Sequence, residues 1–169
     1  MMFNRSDFVW TGRHAHPAGD PINALLSFAY TLLTHEIAAL LEGAGLDPFL
    51  GFLHQIDYGR PSLALDVIEP FRHPAADRLV MKILNLRVLQ ADDFEQRDGR
   101  TGVWMKPAAL VRFFEHYETW MMDGKPSLRD RLKHDVEGMA HCLKTGEPLR
   151  PYRMREAGEG TWSTSSVTI

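Results

Sequence analysis

The sequence predicts an all-α fold: a bundle of about five or six helices with one small β-hairpin. Three observations point there. Most of the chain divides into stretches whose apolar residues recur at helical spacing. Two of these stretches open on a capping side chain followed by proline, Asp20-Pro21 and Asp47-Pro48, a helix-start pattern. Hairpin chemistry occurs at one place, Asp98-Gly99, between two short runs.

Taken in order, residues 23–41 form the first helix. Leu25, Leu26, Phe28, Ala29, Leu32, Leu33, Ile37, Leu40 and Leu41 cover far more than one stripe, so this helix is expected to be central and buried. Gly43 and Gly45 end it, and a short helix from Asp47-Pro48 is expected to reach His54. Residues 55–60, with Asp57 and Gly59, read as a loop. The helix opening at Pro61 or Ser62 has Ala64, Ile68 and Phe71 on one face and Asp66, Glu69 and His73 on another. Pro70 and Pro74 are expected to kink or break it, because each removes a backbone donor and crowds the preceding turn. Helical spacing resumes over 77–89, the hairpin occupies 94–106, and two more helices cover 107–122 and 127–143. The Gly, Ser and Thr-rich stretch 156–169 reads as a disordered tail, leaving 1–19 as a lead-in and 20–155 as the helical domain.

With 169 residues, 44% of them hydrophobic and 24% charged, the chain suits one globular domain with a sizeable core. A lone Cys142 excludes a disulfide framework and a multi-cysteine zinc cluster, and no secretory leader pattern is visible, so a cytoplasmic setting is expected. No apolar run is expected to match the roughly 18–20 residues of a membrane span. The net charge of −3 is unevenly spread. Residues 1–59 hold two basic and six acidic side chains, whereas 125–155 hold eight basic against four acidic, enough to offer a positive groove if that end folds near His54 and Glu69.

The residues richest in chemistry are His54, at the end of an apolar segment, and Asp66 and Glu69, three apart in the next helix. An imidazole with carboxylates suits Mn2+ or Mg2+ better than softer metals. The same residues also read as a helix-end histidine with acids that favour a helix N-terminus, and spacing alone leaves both readings open.

Three linked runs go further: Asp20 through Leu33 (Asp-Pro-Ile-Asn-Ala-Leu-Leu-Ser-Phe), Gly45 through His54, and Pro61 through Arg72 (Pro-Ser-Leu-Ala-Leu-Asp-Val-Ile-Glu-Pro-Phe-Arg). With Asp77 to Val80, Asn85 to Leu89, Phe94-Glu95 and Pro151 to Arg155 behind them, the chain over roughly 9–155 resembles the C-terminal catalytic domain of the CRISPR-associated endonuclease and integrase of spacer acquisition. That resemblance implies a helical domain that holds Mn2+ or Mg2+ and joins protospacer DNA to the CRISPR repeat by transesterification. It implies His54 and Glu69 as metal ligands, Asp66 as the neighbouring catalytic acid, and Arg72, Arg78 and Lys82 as DNA-contacting residues. Implied partners are DNA, a small ferredoxin-fold CRISPR-associated adaptation protein and, in full-length members, a second copy in a homodimer. No membrane is implied. Family members also begin with a β-rich domain and place a third ligand, a glutamate, before the Asp-Pro-x-Asn-Ala run. This chain has no glutamate before Glu36, so it reads as a member cut at its N-terminus, with a non-catalytic DNA-binding or partner-binding remnant as the alternative.

Other candidates read as bland. His14 and His16 lack a third ligand, Glu115, His116 and Glu118 face different ways, and His134 with His141 share only a helix face. Cys142 reads as a small apolar residue, and Trp104, Trp120 and Trp162 are not interleaved with basic residues as a base-stacking platform would be. Leu25, Phe28 and Leu32 are expected to form an exposed apolar face, or one covered by Phe8 to Trp10 folding back, because so little chain precedes the central helix.

Overall fold

The computed structural model describes residues 8, 12–14, 17–55 and 57–148. His16, Val9, Trp10, Trp162, the 151–155 motif and the expected tail lie outside them.

Helix α1 (Pro21–Gly43) starts where Asp20 Oδ1 accepts the backbone N–H of Asn23 at 2.9 Å, with proline at the first helical position. It stops at Ala44 and Gly45, the latter at φ 79°, a conformation that glycine adopts freely. Ile22, Leu25, Ala29, Leu33, Ile37 and Leu41 are all fully buried, so α1 is the hub of the core. By length and composition α1 is apolar enough to cross a membrane, which corrects the expectation that no run would be. Its apolarity has a packing explanation, since other helices cover it on most sides.

Helix α2 (Ser62–Phe71) runs through a π-helical stretch (Arg72–Asp77) into α3 (Arg78–Asn85) without a break. Of the expected kink or break at Pro70 and Pro74, the break does not occur; the α register instead gives way to the π stretch. The wider π register absorbs the missing donors, and the Pro74 carbonyl accepts the Trp120 Nε1–H at 2.9 Å. Helix α3 ends earlier than the periodicity suggests, because Arg87 takes φ 55° and Val88 N–H turns back to the Ile83 carbonyl at 3.0 Å, a Schellman closure that buries Leu89.

A 3-10 turn (Ala91–Asp93) leads to the hairpin of β1 (Phe94–Glu95) and β2 (Trp104–Met105), antiparallel with Phe94 opposite Met105. Helix α4 (Pro107–Met122) buries Ala109, Phe113, Tyr117 and Met121, and α5 (Leu128–Thr145) buries Leu128, Leu132, Val136 and Ala140, both at four-residue spacing. Ser127 and Asp130 cap α5 reciprocally, and Gly146 closes it at φ 76°. Among the described residues the fold is therefore five α-helical segments and one small two-stranded sheet, in line with the all-α class.

Two expectations fail here. The short helix reaching His54 is absent: Asp47 Oδ1 accepts the Phe49 N–H at 2.9 Å, an Asx turn that holds residues 48–54 as loop. The expected exposed face at Leu25, Phe28 and Leu32 is also absent. Leu25 is fully buried, and the Phe28 ring stands edge-on to Phe113 at 5.2 Å and to Phe114 at 5.6 Å. Phe8 does fold back, but onto Phe94 at 5.8 Å.

Candidate metal and nucleic-acid site

The loop between α1 and α2 is stitched to the start of α2 at three levels. Pro48 gives its carbonyl to the N–H of Leu63 at 2.9 Å, taking up a donor that has no partner within the helix. The buried Ser62 hydroxyl donates to the Gln55 carbonyl at 2.9 Å. Gly51 passes so close that a Cβ there would sit 2.7 Å from Ser62 Cβ and 2.8 Å from the Ser62 carbonyl carbon. The close approach makes glycine necessary, not a positive φ.

This stitching delivers the loop backbone to Asp66. One carboxylate oxygen accepts the N–H groups of Phe52 (2.6 Å) and Leu53 (3.0 Å); the other accepts the His54 N–H (3.0 Å) and the His54 ring Nδ1–H (2.5 Å). Burial pushes the Asp66 carboxyl up, but the Leu53 N–H, the His54 ring and the N–H groups of Phe52 and His54 together hold its pKa below the usual carboxylate range. Asp66 is thus an anion that clamps the loop and fixes the His54 tautomer. Nδ1 carries the proton, and Nε2 is left with no hydrogen-bond partner among the described residues.

Glu69 lies three residues further along α2, on the Asp66 face. It is exposed and pairs with Arg72 at 3.0 Å. Arg72 in turn lies over the Tyr30 ring, 4.7 Å from its centroid, and the Tyr30 hydroxyl donates to Asp77. Burial, reinforced by Asp77, raises the Tyr30 pKa, so the phenol stays protonated.

The sequence grouped His54 with Glu69 and set Asp66 behind them. The structure brings His54 and Asp66 into contact and gives Glu69 to Arg72. Among the described residues no three His, Cys, Asp or Glu side chains gather as a metal cluster. The donors still suit a hard cation in part. His54 offers Nε2 with a carboxylate behind Nδ1, the arrangement that orients metal-binding histidines, and the half-exposed Glu69 offers oxygens. Asp66 does not fit as a ligand, because both its oxygens are already engaged.

The three basic candidates occupy two seats. Arg72 sits on Tyr30, whereas Arg78 and Lys82 lie over Trp120, at 5.7 and 4.8 Å from its ring. Trp120 therefore does have basic neighbours, contrary to the sequence reading, because α4 brings it to residues some forty positions away. A surface cleft of about 170 Å³ opens there, lined by Pro74, Arg78, Trp120, Asp123, Leu128 and Arg131. The basic end of the chain is partly spent on internal pairing. Arg129 bonds Glu36 at 2.5 Å and both Glu118 oxygens at 2.9 Å, and Lys133 lies 3.8 Å from Glu137. His141 pairs with Glu147 at 3.2 Å, and Cys142 is half-buried.

Sequence reasoning missed Arg13, Tyr30 and Gly51 as parts of this region. Tyr30 and Gly51 stood inside the resembling runs, but their partners, Arg13 and Arg72 for Tyr30 and Ser62 for Gly51, lie beyond the reach of helical periodicity.

Comparison with known proteins gives a consistent result. A family model described as CRISPR associated protein Cas1 matches residues 1–119. The CRISPR-associated endonuclease Cas1 3 of Thermus thermophilus is 46% identical over 132 residues, which cover 78% of this chain and 37% of that protein. The solved structure of a Cas1 protein from Thermotoga maritima superposes with a TM-score of 0.74 at 25% identity, covering 86% of this chain and 46% of that one. A partial Cas6-RT-Cas1–Cas2 complex gives 0.73 at 25% identity, covering 82% and 43%. The chain spans less than half of each of these relatives.

Proposed function

The chain belongs to the Cas1 family of CRISPR-associated proteins, and from that premise we propose that it is the DNA-joining part of a divalent-metal-dependent endonuclease and integrase of CRISPR adaptation. One observation supports this most: the buried Asp66 carboxylate fixes His54 with Nδ1 inward and Nε2 outward, and Glu69 stands one turn along the same helix. Mn2+ or Mg2+ held by His54 and Glu69 would supply charge neutralisation at a scissile phosphate and acidify an attacking 3′ hydroxyl. The chain's own residues position that chemistry. Asp66 sets the imidazole, Gly51 lets the loop reach α2, and Arg72 holds Glu69 in register with Tyr30. Arg78 and Lys82, on Trp120, form a separate basic seat for backbone phosphates. The partners follow the family: protospacer and repeat DNA, the small ferredoxin-fold adaptation protein, a second copy of the whole protein and a cytoplasmic setting.

A second reading is that the chain binds DNA or a relative without chemistry. The absence of a three-residue metal cluster among the described residues favours it. Plasmid nicking and 3′-end joining in Mn2+, with EDTA controls and the variants His54→Ala and Glu69→Gln, separates the two. The catalytic reading expects slow, strictly metal-dependent product that both variants lose. Product that persists in EDTA or in His54→Ala overturns it, and no product at all with intact DNA binding favours the second reading.

A further inference from the structure

Arg13 lies outside every residue assigned above, yet its guanidinium is built into place. Nη1 donates to the Asn23 side-chain oxygen and to the His14 carbonyl, both at 3.0 Å, and Nη2 donates to the Ser27 hydroxyl at 3.2 Å. Asn23 is fully buried with all its hydrogen-bonding capacity used: Oδ1 also accepts the His14 N–H, and Nδ2 donates to the Gly12 carbonyl and to Asp20. A buried amide so completely spent on residues 12–14 fixes that segment against α1. Three of the five Arg13 donors are used, and every acceptor is neutral. Among the described residues Arg13 forms no ion pair with a carboxylate, and its guanidinium is oriented by these three bonds.

Arg13 lies 5.4 Å from the centroid of the Tyr30 ring, the ring that seats Arg72 at 4.7 Å. Two guanidinium groups on one aromatic ring repel each other; Glu69 already pairs with Arg72 at 3.0 Å, and an anion that also reaches Arg13 relieves the rest. Guanidinium forks match phosphate geometry, so a fork already held in place is a ready seat for a backbone phosphate. We propose that Arg13 and Arg72, seated on Tyr30, form a cradle for the backbone phosphate of the DNA strand that flanks the Glu69 site, with Asn23 as the residue that positions Arg13. This rests on the DNA-handling function proposed above and extends it to residues not yet assigned.

The test is fluorescence anisotropy of the full 169-residue chain with a labelled DNA duplex carrying a 3′ single-stranded overhang, titrated across salt. Arg13→Ala is expected to weaken binding about tenfold at low salt and to flatten the log–log salt slope by about one. Arg13→Lys keeps the slope but binds at an intermediate level, because the charge survives and the fork does not. Asn23→Ser, checked for an unchanged helical spectrum, lowers affinity as Arg13→Ala does, since the charge remains but is no longer aimed. Arg97→Ala, which removes one charge at the hairpin, leaves the slope alone. An Arg13→Ala slope equal to wild type would overturn the cradle while leaving the DNA-binding function standing. Wild-type binding that is absent or insensitive to salt would overturn both.

Discussion

Replacing Asp66 by Asn keeps the shape of the side chain but removes its charge and turns one acceptor oxygen into a donor. In the native loop the two oxygens accept four hydrogen bonds, two from the N–H groups of Phe52 and Leu53 and two from His54. An amide can satisfy one of these pairs and opposes the other. Hydrogen bonds to an ionised group contribute about 1.5–3 kcal/mol each. The cost is held down because Phe52 and Leu53 are 66% and 81% exposed, so their N–H groups regain water once the loop lifts. A loss of about 2–3 kcal/mol follows, which in a domain of this size lowers Tm by roughly 4–10 °C. Thermal melts should be paired with amide hydrogen exchange at residues 52–54, where protection should collapse before the helices open. The pH dependence has a definite sign. The folded-state pKa of Asp66 is depressed, so its contribution is fully present above the unfolded value of about 3.9 and is lost as pH falls through the lower folded value. The gap between wild type and Asp66→Asn should therefore be constant near neutrality and close only in acid, below about pH 4. A variant that melts within about 1 °C of wild type, with exchange at 52–54 unchanged, would refute the clamp.

Two further substitutions probe the scaffold around the site. Gly51→Ala places a methyl group 2.7 Å from Ser62 Cβ, against backbone that cannot yield, so it should cost about 1–3 kcal/mol in urea denaturation and loosen residues 52–54 as Asp66→Asn does. Trp120→Phe keeps a ring under Arg78 and Lys82 but removes the donor to the Pro74 carbonyl, and should cost about 1 kcal/mol by the same measurement.

Local rules made much of the fold legible. The Asp20 cap with Pro21, the helices over 107–122 and 127–143 and the Asp98-Gly99 turn are each decided by neighbours within a few positions, and each stands in the structure as read. Asp47-Pro48 carried the same start signal as Asp20-Pro21, yet its carboxylate closes an Asx turn at Phe49, and the chain at Gly51 then passes tightly against Ser62. The prolines at 70 and 74 were read by their local cost, and the long-range bond from Trp120 helps offset it. The site divides the same way. That Asp66 and Glu69 share a helix face is spacing; that Asp66 takes His54 while Glu69 takes Arg72 depends on the path of the loop. Arg13, Tyr30 and Arg72 converge from well-separated positions in the chain, and no periodicity encodes such a meeting.

The central claim is that His54, set by Asp66, and Glu69 are the two metal-binding side chains of this chain. Calorimetric titration of the purified protein with Mn2+ tests it directly, using wild type, His54→Ala, Glu69→Gln and, as a control, Lys82→Ala. Two protein ligands leave most of the coordination to water, so the account predicts weak binding, no tighter than about 10 μM, that is lost in both ligand variants and kept in Lys82→Ala. Mn2+ binding that survives both His54→Ala and Glu69→Gln would contradict it.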